Sequence, residues 1–242
     1  MTWSILARDD DGRFGVAIAS RFFAVGALCV HTRRGVGALA TQALMNPLYG
    51  PLGLQLLADR ASPHDVVQRL TASDSGQAHR QVHVLDARGA AAAHTGSDCI
   101  GWCGDVAGNG FSVAGNMLVG EAVLDATAHA YRQSSGLPLA ERLIAALAAG
   151  EAAGGDKRGK QSAALRIHAE EEYPALDLRV DDHAEPVVEL RRLYRVSLER
   201  FQPFVACLAG RLNPAGMTDR ALIEQAIQRF QAARVLREGR AE

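Results

Sequence analysis

The chain has 242 residues, a formal net charge of −1 and 48% hydrophobic residues. That length suits one large domain with an appendage. The near-zero charge supplies no basic field for holding nucleic acid, so small-molecule chemistry is favoured. No apolar run approaches the roughly eighteen residues of a membrane span, and no basic-then-apolar leader opens the chain, so a soluble, cytoplasmic protein without a membrane partner is expected.

Thr2–Ala7 and Phe14–Ser20 are apolar runs around Asp9-Asp10-Asp11-Gly12, a hairpin signal. Ala27–His31 and Val36–Gln42 repeat the pattern around Thr32-Arg33-Arg34-Gly35, so the first forty residues are expected to form four strands of one buried sheet. Asn46-Pro47-Leu48-Tyr49-Gly50-Pro51 leads into a helical pattern at Leu52, Leu56 and Leu57. A second helix start follows, with Ser62 as N-cap, Pro63 at the first helical position and Asp65 in the first turn.

From Arg80 the period drops to two, and a hairpin through Asp86-Ala87-Arg88-Gly89 is expected to begin a second sheet. Residues 96–110 are glycine-rich and polar and are read as a loop; Phe111–Leu118 is a strand. Helical patterns follow at Glu121–Ser134 and Pro138–Ala149, then strands at Ser162–His168 and Leu176–Val180. Strands and helix pairs in this order imply an α+β four-layer α-β-β-α sandwich spanning residues 1–184, with a helical extension over 185–242 that packs on the core or at a homodimer seam.

The densest chemistry lies in Gly154-Gly155-Asp156-Lys157-Arg158-Gly159-Lys160-Gln161-Ser162, where three cations, a carboxylate, an amide and a hydroxyl sit between glycines. Lys157, Arg158 and Lys160 could hold an anionic metabolite, or could pair with Asp177, Asp181 and Asp182 as plain structure. Thr41 and Gln42 end a strand before a loop, a position suited to lining a pocket. The glycines and amides of Gly108-Asn109-Gly110 and Gly115-Asn116 could serve an oxyanion hole. Ser4 and Ser20 are alternative nucleophiles, with backbone-bonded strand hydroxyls as the plain alternative. The four cysteines are scattered and expected as thiols, and no His-Glu-x-x-His or paired Cys-x-x-Cys spacing is present, so neither metal nor cofactor is expected.

The N-terminal hairpin, Ser20-Arg21-Phe22-Phe23-Ala24-Val25-Gly26, Thr41-Gln42-Ala43, Asn46-Pro47-Leu48-Tyr49-Gly50, Gly155–Ser162 and Leu176–His183 together resemble the domain of unknown function 1028 family over roughly residues 2 to 200. That family is placed with the N-terminal-nucleophile (Ntn) hydrolase fold. The resemblance implies the same four-layer sandwich and an amide-bond hydrolase acting through Thr2, N-terminal once Met1 is lost, with its own α-amine as base. It also implies support from Asp156, with Ser20 and Arg21 beside the nucleophile, and Lys160 and Gln161 at the pocket rim. Proteasome subunits carry Asp-Ser-Arg where this chain has Ala19-Ser20-Arg21, and their active-site lysine has no counterpart near Arg33 and Arg34. The expected ligand is a small carboxylated amide or acylated amino acid; an inactive, anion-binding scaffold of the same fold is the alternative.

Overall fold

The computed structural model describes residues 2–238, with side chains through residue 236. The chain divides into two compact units, Met1–Arg191 and Arg192–Glu242.

In the first unit, β1 (Thr2–Arg8), β2 (Phe14–Ser20), β7 (Trp102–Gly108), β8 (Phe111–Leu118), β9 (Ser162–His168) and β10 (Leu176–Val180) form a six-stranded sheet in the order β10-β9-β2-β1-β8-β7. A four-stranded sheet runs β3 (Val30–Arg33), β4 (Gly37–Ala43), β5 (Arg80–Asp86) and β6 (Ala91–Thr95). Every pairing is antiparallel. The helices α1 (Tyr49–Ala58) and α2 (Pro63–Ala72) lie on the four-stranded sheet, and α3 (Ala122–Gln133) and α4 (Leu139–Ala152) on the six-stranded one. With β1, β2 and β8 facing β3, β4 and β5, the unit is the four-layer α-β-β-α sandwich.

Period-two side-chain placement builds the layers. On β2, Phe14, Val16 and Ile18 enter the core between the sheets with Leu6, Ala38, Ala40 and Leu85. The alternate residues Gly15, Ala17 and Ala19 are small, and a Cβ on Gly15 would stand 2.4 Å from Leu143 Cδ1, so α4 seats close against the sheet. A second core of Leu39, Val82, Val84, Leu54, Leu57, Val66 and Leu70 fills the layer under α1 and α2. Ser62 Oγ accepts from the Asp65 backbone N at 3.1 Å and starts α2 as expected.

Three expectations are corrected. The first four strands belong to two sheets, because residues 21–29 carry the chain from the end of β2 across to the facing layer through a 3-10 turn at Val25–Ala27. The hairpin from Arg80 extends β3 and β4 rather than opening a new sheet. Trp102–Gly108, read as loop, is an edge strand whose Trp102 ring covers Gly104.

The second unit holds the end of α5 (Pro186–Glu199), the short α6 (Phe201–Val205) and α7 (Arg220–Glu238). Within it, Gln231 Nε2 donates to the Leu198 carbonyl at 2.8 Å. Among the described residues no helix is long and apolar enough to cross a membrane.

Candidate functional site

Antiparallel register sets four polar residues in one row across the six-stranded sheet: Ser162 opposite Ser20, Ser20 opposite Thr2, and Thr2 opposite Asn116. Paired residues share a face, so all four side chains stand on the side facing the other sheet. Thr2 Oγ1 and Ser20 Oγ are 3.0 Å apart. The row borders a cleft of about 340 Å³ lined by Thr2, Ser20, Gln42, Asn116 and Arg158. Its apolar wall is Phe22, Val25, Leu44, Met45, Ile100 and Met117.

Behind the row lies a hydrogen-bond network whose protons can be assigned from two backbone carbonyls. Gln81 Nε2 is 2.8 Å from the Gly115 oxygen and 3.2 Å from the Gly104 oxygen. Carbonyls only accept, so the amide nitrogen must face them and Gln81 Oε1 must face the other way. There it accepts from Gln42 Nε2 at 2.7 Å and Asn116 Nδ2 at 3.0 Å. Gln42 Oε1 is thereby turned to Ser4 Oγ, which donates to it at 2.8 Å. With its proton spent, Ser4 accepts from His83 Nε2 at 2.8 Å, and His83 Nδ1 then accepts from Ser112 Oγ at 3.0 Å. Complete burial pushes His83 down to about 3, so the ring is neutral, as this pattern requires. Ser4 and His83 thus resemble a nucleophile and base but are sealed from ligand; their work is to hold Gln42 and Asn116.

The Asp156 loop is placed differently from expectation. The Asp156 carboxylate accepts from the backbone N of Arg21 and of Arg158, each at 2.8 Å, and from the Arg158 guanidinium at 3.2 Å. Among the described residues it makes no hydrogen bond to Thr2. Its bond to Arg21 N ties the loop to the residue after Ser20, the register partner of Thr2. Lys160 is not at the rim of the cleft: it bonds Glu151 at 3.0 Å and Glu185 at 2.5 Å, which holds its ammonium pKa above the ordinary value, the Glu185 bond first. Gln161 donates to Asp182 at 3.1 Å. Asp177 and Asp181 pair with Arg166 and Arg179, not with the loop cations.

Of the remaining candidates, Arg21 sends its guanidinium to the Lys160 carbonyl at 2.8 Å. Ser162 Oγ donates to the Phe22 carbonyl at 2.5 Å and accepts from Val25 N at 3.2 Å, shaping the turn that carries the cleft wall. Thr41 is buried and accepts from Asn46 N at 3.3 Å, bracing the next loop. Lys157 is exposed, its Nζ near Gly101. The Gly108–Gly110 turn receives Arg8 N at the far end of β1, about 20 Å along the strand from Thr2, so it cannot serve an oxyanion there. Asn116, expected as an oxyanion donor, spends one of its two Nδ2 hydrogens on Gln81 Oε1.

The sequence reading also missed the apolar wall. Its signal was present: Phe22-Phe23 and Leu44-Met45 are large apolar residues set immediately after strand ends, where turn residues are usually polar. The loop bearing Leu44 is held by Asp74, whose carboxylate takes Arg80 Nε at 3.0 Å, Asn46 Nδ2 at 3.1 Å and Tyr49 hydroxyl at 2.9 Å. Those bonds, Arg80 first, hold Asp74 well below the usual carboxylate range. All four cysteines are free thiols, and no group of three or more His, Cys, Asp or Glu is arranged for a metal among the described residues.

A family profile described as "Family of unknown function (DUF1028)" matches residues 2–190. The crystal structure of a DUF1028 protein from Silicibacter pomeroyi is 33% identical, with a TM-score of 0.83, covering 90% of this chain and 99% of that one. Anbu, an ancestral β-subunit from Yersinia bercovieri, is 13% identical with a TM-score of 0.36, covering 81% of this chain and 94% of that one. No curated protein matches the chain.

Proposed function

Since the chain belongs to the DUF1028 family, whose description names no reaction, we propose from the site itself an Ntn-type amide-bond hydrolase. Its nucleophile is Thr2, and its substrate a small carboxylated amide, an acylated amino acid in particular. The observation that carries this reading is the placement of Thr2 in a polar row beside a cleft that also contains a guanidinium. The α-β-β-α sandwich is compatible with it.

With Met1 removed, a residue outside the described range, the Thr2 α-amine has an ordinary pKa of about 8 and is partly neutral near pH 7. It takes the Oγ1 proton as Oγ1 attacks the amide carbonyl carbon. The tetrahedral adduct collapses with cleavage of the C–N bond, the amine returns the proton to the leaving nitrogen, and the acyl group stays on Thr2 as an ester. Water, deprotonated by the same amine, then adds to the ester and releases the acid and the free hydroxyl. Arg158, exposed, tethered to Asp156 and lining the cleft, is the cation placed to attract the substrate carboxylate.

Intact mass is expected to show loss of Met1, and Thr2→Ala is expected to abolish turnover of an N-acyl amino acid panel, with Thr2→Ser retaining part of it. Retention of Met1 in active protein would rule the mechanism out. A second reading, ligand binding without turnover, is favoured by the use of the Asp156 carboxylate in bonds to the Arg21 and Arg158 backbone; it predicts a blank activity screen with ligand affinity unchanged by Thr2→Ala. For the tail we propose a homodimer seam on α7, where Leu222, Val235 and Leu236 are exposed. Light scattering should give twice the chain mass, and a single-chain mass would overturn it.

A further inference from the structure

The charged side chains that line the cleft come from different layers of the sandwich. Arg158 belongs to the end of the six-stranded sheet: its partner Asp156, 3.2 Å from the guanidinium, bridges to Leu118 of β8. Asp98 lies on the segment that crosses from β6 to β7, and is tied to the end of the four-stranded sheet. Its backbone N donates to the Ala78 carbonyl at 2.8 Å, two residues before β5 begins. His79, which also lines the cleft, is fixed beside it by Leu44 N, which donates to the His79 carbonyl at 3.2 Å. A Cβ on Gly96 would stand 2.2 Å from the Ala78 carbonyl, so the Asp98 loop lies tight against this corner.

The fold does not use up the Asp98 carboxylate. Its side chain is 52% exposed; Oδ1 accepts from Ser97 Oγ at 3.1 Å, and Oδ2 stands 3.5 Å from His79 Nε2, longer than an ordinary hydrogen bond. Among the described residues no Lys or Arg pairs with it, whereas nearby Asp74 takes Arg80 at 3.0 Å. One cation and one carboxylate therefore line a single space of about 340 Å³. A cleft concentrates the field of such charges, so a ligand that is only anionic gains at Arg158 and is repelled at Asp98. A positive group at the ligand's other end turns that repulsion into attraction.

We infer that the cleft takes a dipolar amide, an aminoacyl amino acid whose carboxylate meets Arg158 and whose ammonium group meets Asp98, with Leu44 and Ile100 against the methylenes. The amide and its carboxylate rest on the hydrolase reading above; the ammonium end rests on Asp98 alone. Asp98 is then a specificity residue that separates amine-ended acyl groups from plain fatty ones.

The test is calorimetric and uses Thr2→Ala protein, so that no probe is consumed. The probes are glycylglycine, γ-aminobutyrylglycine and ε-aminohexanoylglycine, each against the isostere with methyl in place of ammonium, together with N-glutarylglycine, which ends in a carboxylate. In at least one pair the amine-ended member should bind about fivefold or more tightly than its isostere, and N-glutarylglycine should bind weakest. Adding Asp98→Asn should close the gap between amine and methyl ends, and Asp98→Lys should invert it in favour of N-glutarylglycine; both variants keep the backbone bond to Ala78. Equal or tighter binding of every methyl-ended member, a gap that persists in Asp98→Asn, or no binding of any probe would each overturn the inference. If the amine preference holds while the wild-type protein hydrolyses none of the panel, the hydrolase reading falls and dipolar recognition stands; hydrolysis of the panel without that preference does the reverse.

Discussion

At the scale of single residues, burial decides which polar groups do chemistry and which do carpentry. Ser4→Ala would remove a donor to Gln42 Oε1 and the acceptor for His83 Nε2, leaving two buried orphans. The expected cost is about 2–4 kcal/mol in denaturant midpoint analysis, with a secondary loss of ligand affinity as Gln42 loosens. A cost below about 0.5 kcal/mol would show the network to be slack. Asp74→Asn should be nearly as damaging, because the carboxylate is the shared acceptor for Arg80, Asn46 and Tyr49. The legible part at this scale was chemical type: a Thr behind Met1 and a cationic glycine-bounded loop stand out in any reading. The illegible part was partnership. Gln81 and His83 alternate with Val82 and Val84, which marks two polar side chains on a strand face; that they meet Ser4, Gln42 and Asn116 depends on sequence separations of 35 to 79 residues.

At the scale of elements, strain gathers at the cleft. Ala24, Ala43 and Met117 adopt positive φ of 52°, 66° and 54°; the latter two line the cleft and the first precedes Val25, which also does. Each such residue costs about 1 kcal/mol relative to a relaxed turn. Ala43→Gly should therefore stabilise the fold by up to about 1 kcal/mol, and Ala43→Val should destabilise it by more than that, both read by thermal unfolding. Helix α4 offers the opposite case. Propensity alone predicts that Gly150→Ala gains about 1 kcal/mol in a helix interior. Here a Cβ would stand 2.3 Å from Thr127 Oγ1 and 2.7 Å from Trp3 Nε1, and Thr127 is itself tied to the Val123 carbonyl at 2.7 Å. A net loss of stability is expected, and a gain would mean that α4 can move off β1. Most element positions were legible from periodicity and turn chemistry. Strand β7 was not, because an edge strand with two glycines among seven residues and one solvent-facing side carries little hydrophobic pattern.

For the whole molecule, the pH profile of stability follows from His83. Its folded-state pKa is lowered from 6.5 to about 3, so the native ring stays neutral where the unfolded one binds a proton. Stability is full above about pH 6.5 and falls by one proton's slope as pH drops from there toward 3. The lowered His31 and His168 act in the same direction. Below about pH 4 the depressed Asp74 adds a second loss, since its carboxylate must be protonated on unfolding. His83→Gln should flatten the limb between pH 6.5 and 4 by one proton, measured by urea titrations across that range; an unchanged slope would mean that His83 is not the group responsible. The sequence by itself determined the layered α+β architecture, since strand and helix periods and turn residues are local properties read within a dozen positions. It also marked Thr2 and Arg158 as candidates by residue type and position. Only the tertiary structure decided that the Asp156 carboxylate bonds the backbone of Arg21 and that the first hairpins split between sheets. Only it placed Asn116 beside Thr2, because strand order and register are set by contacts between residues far apart in the chain.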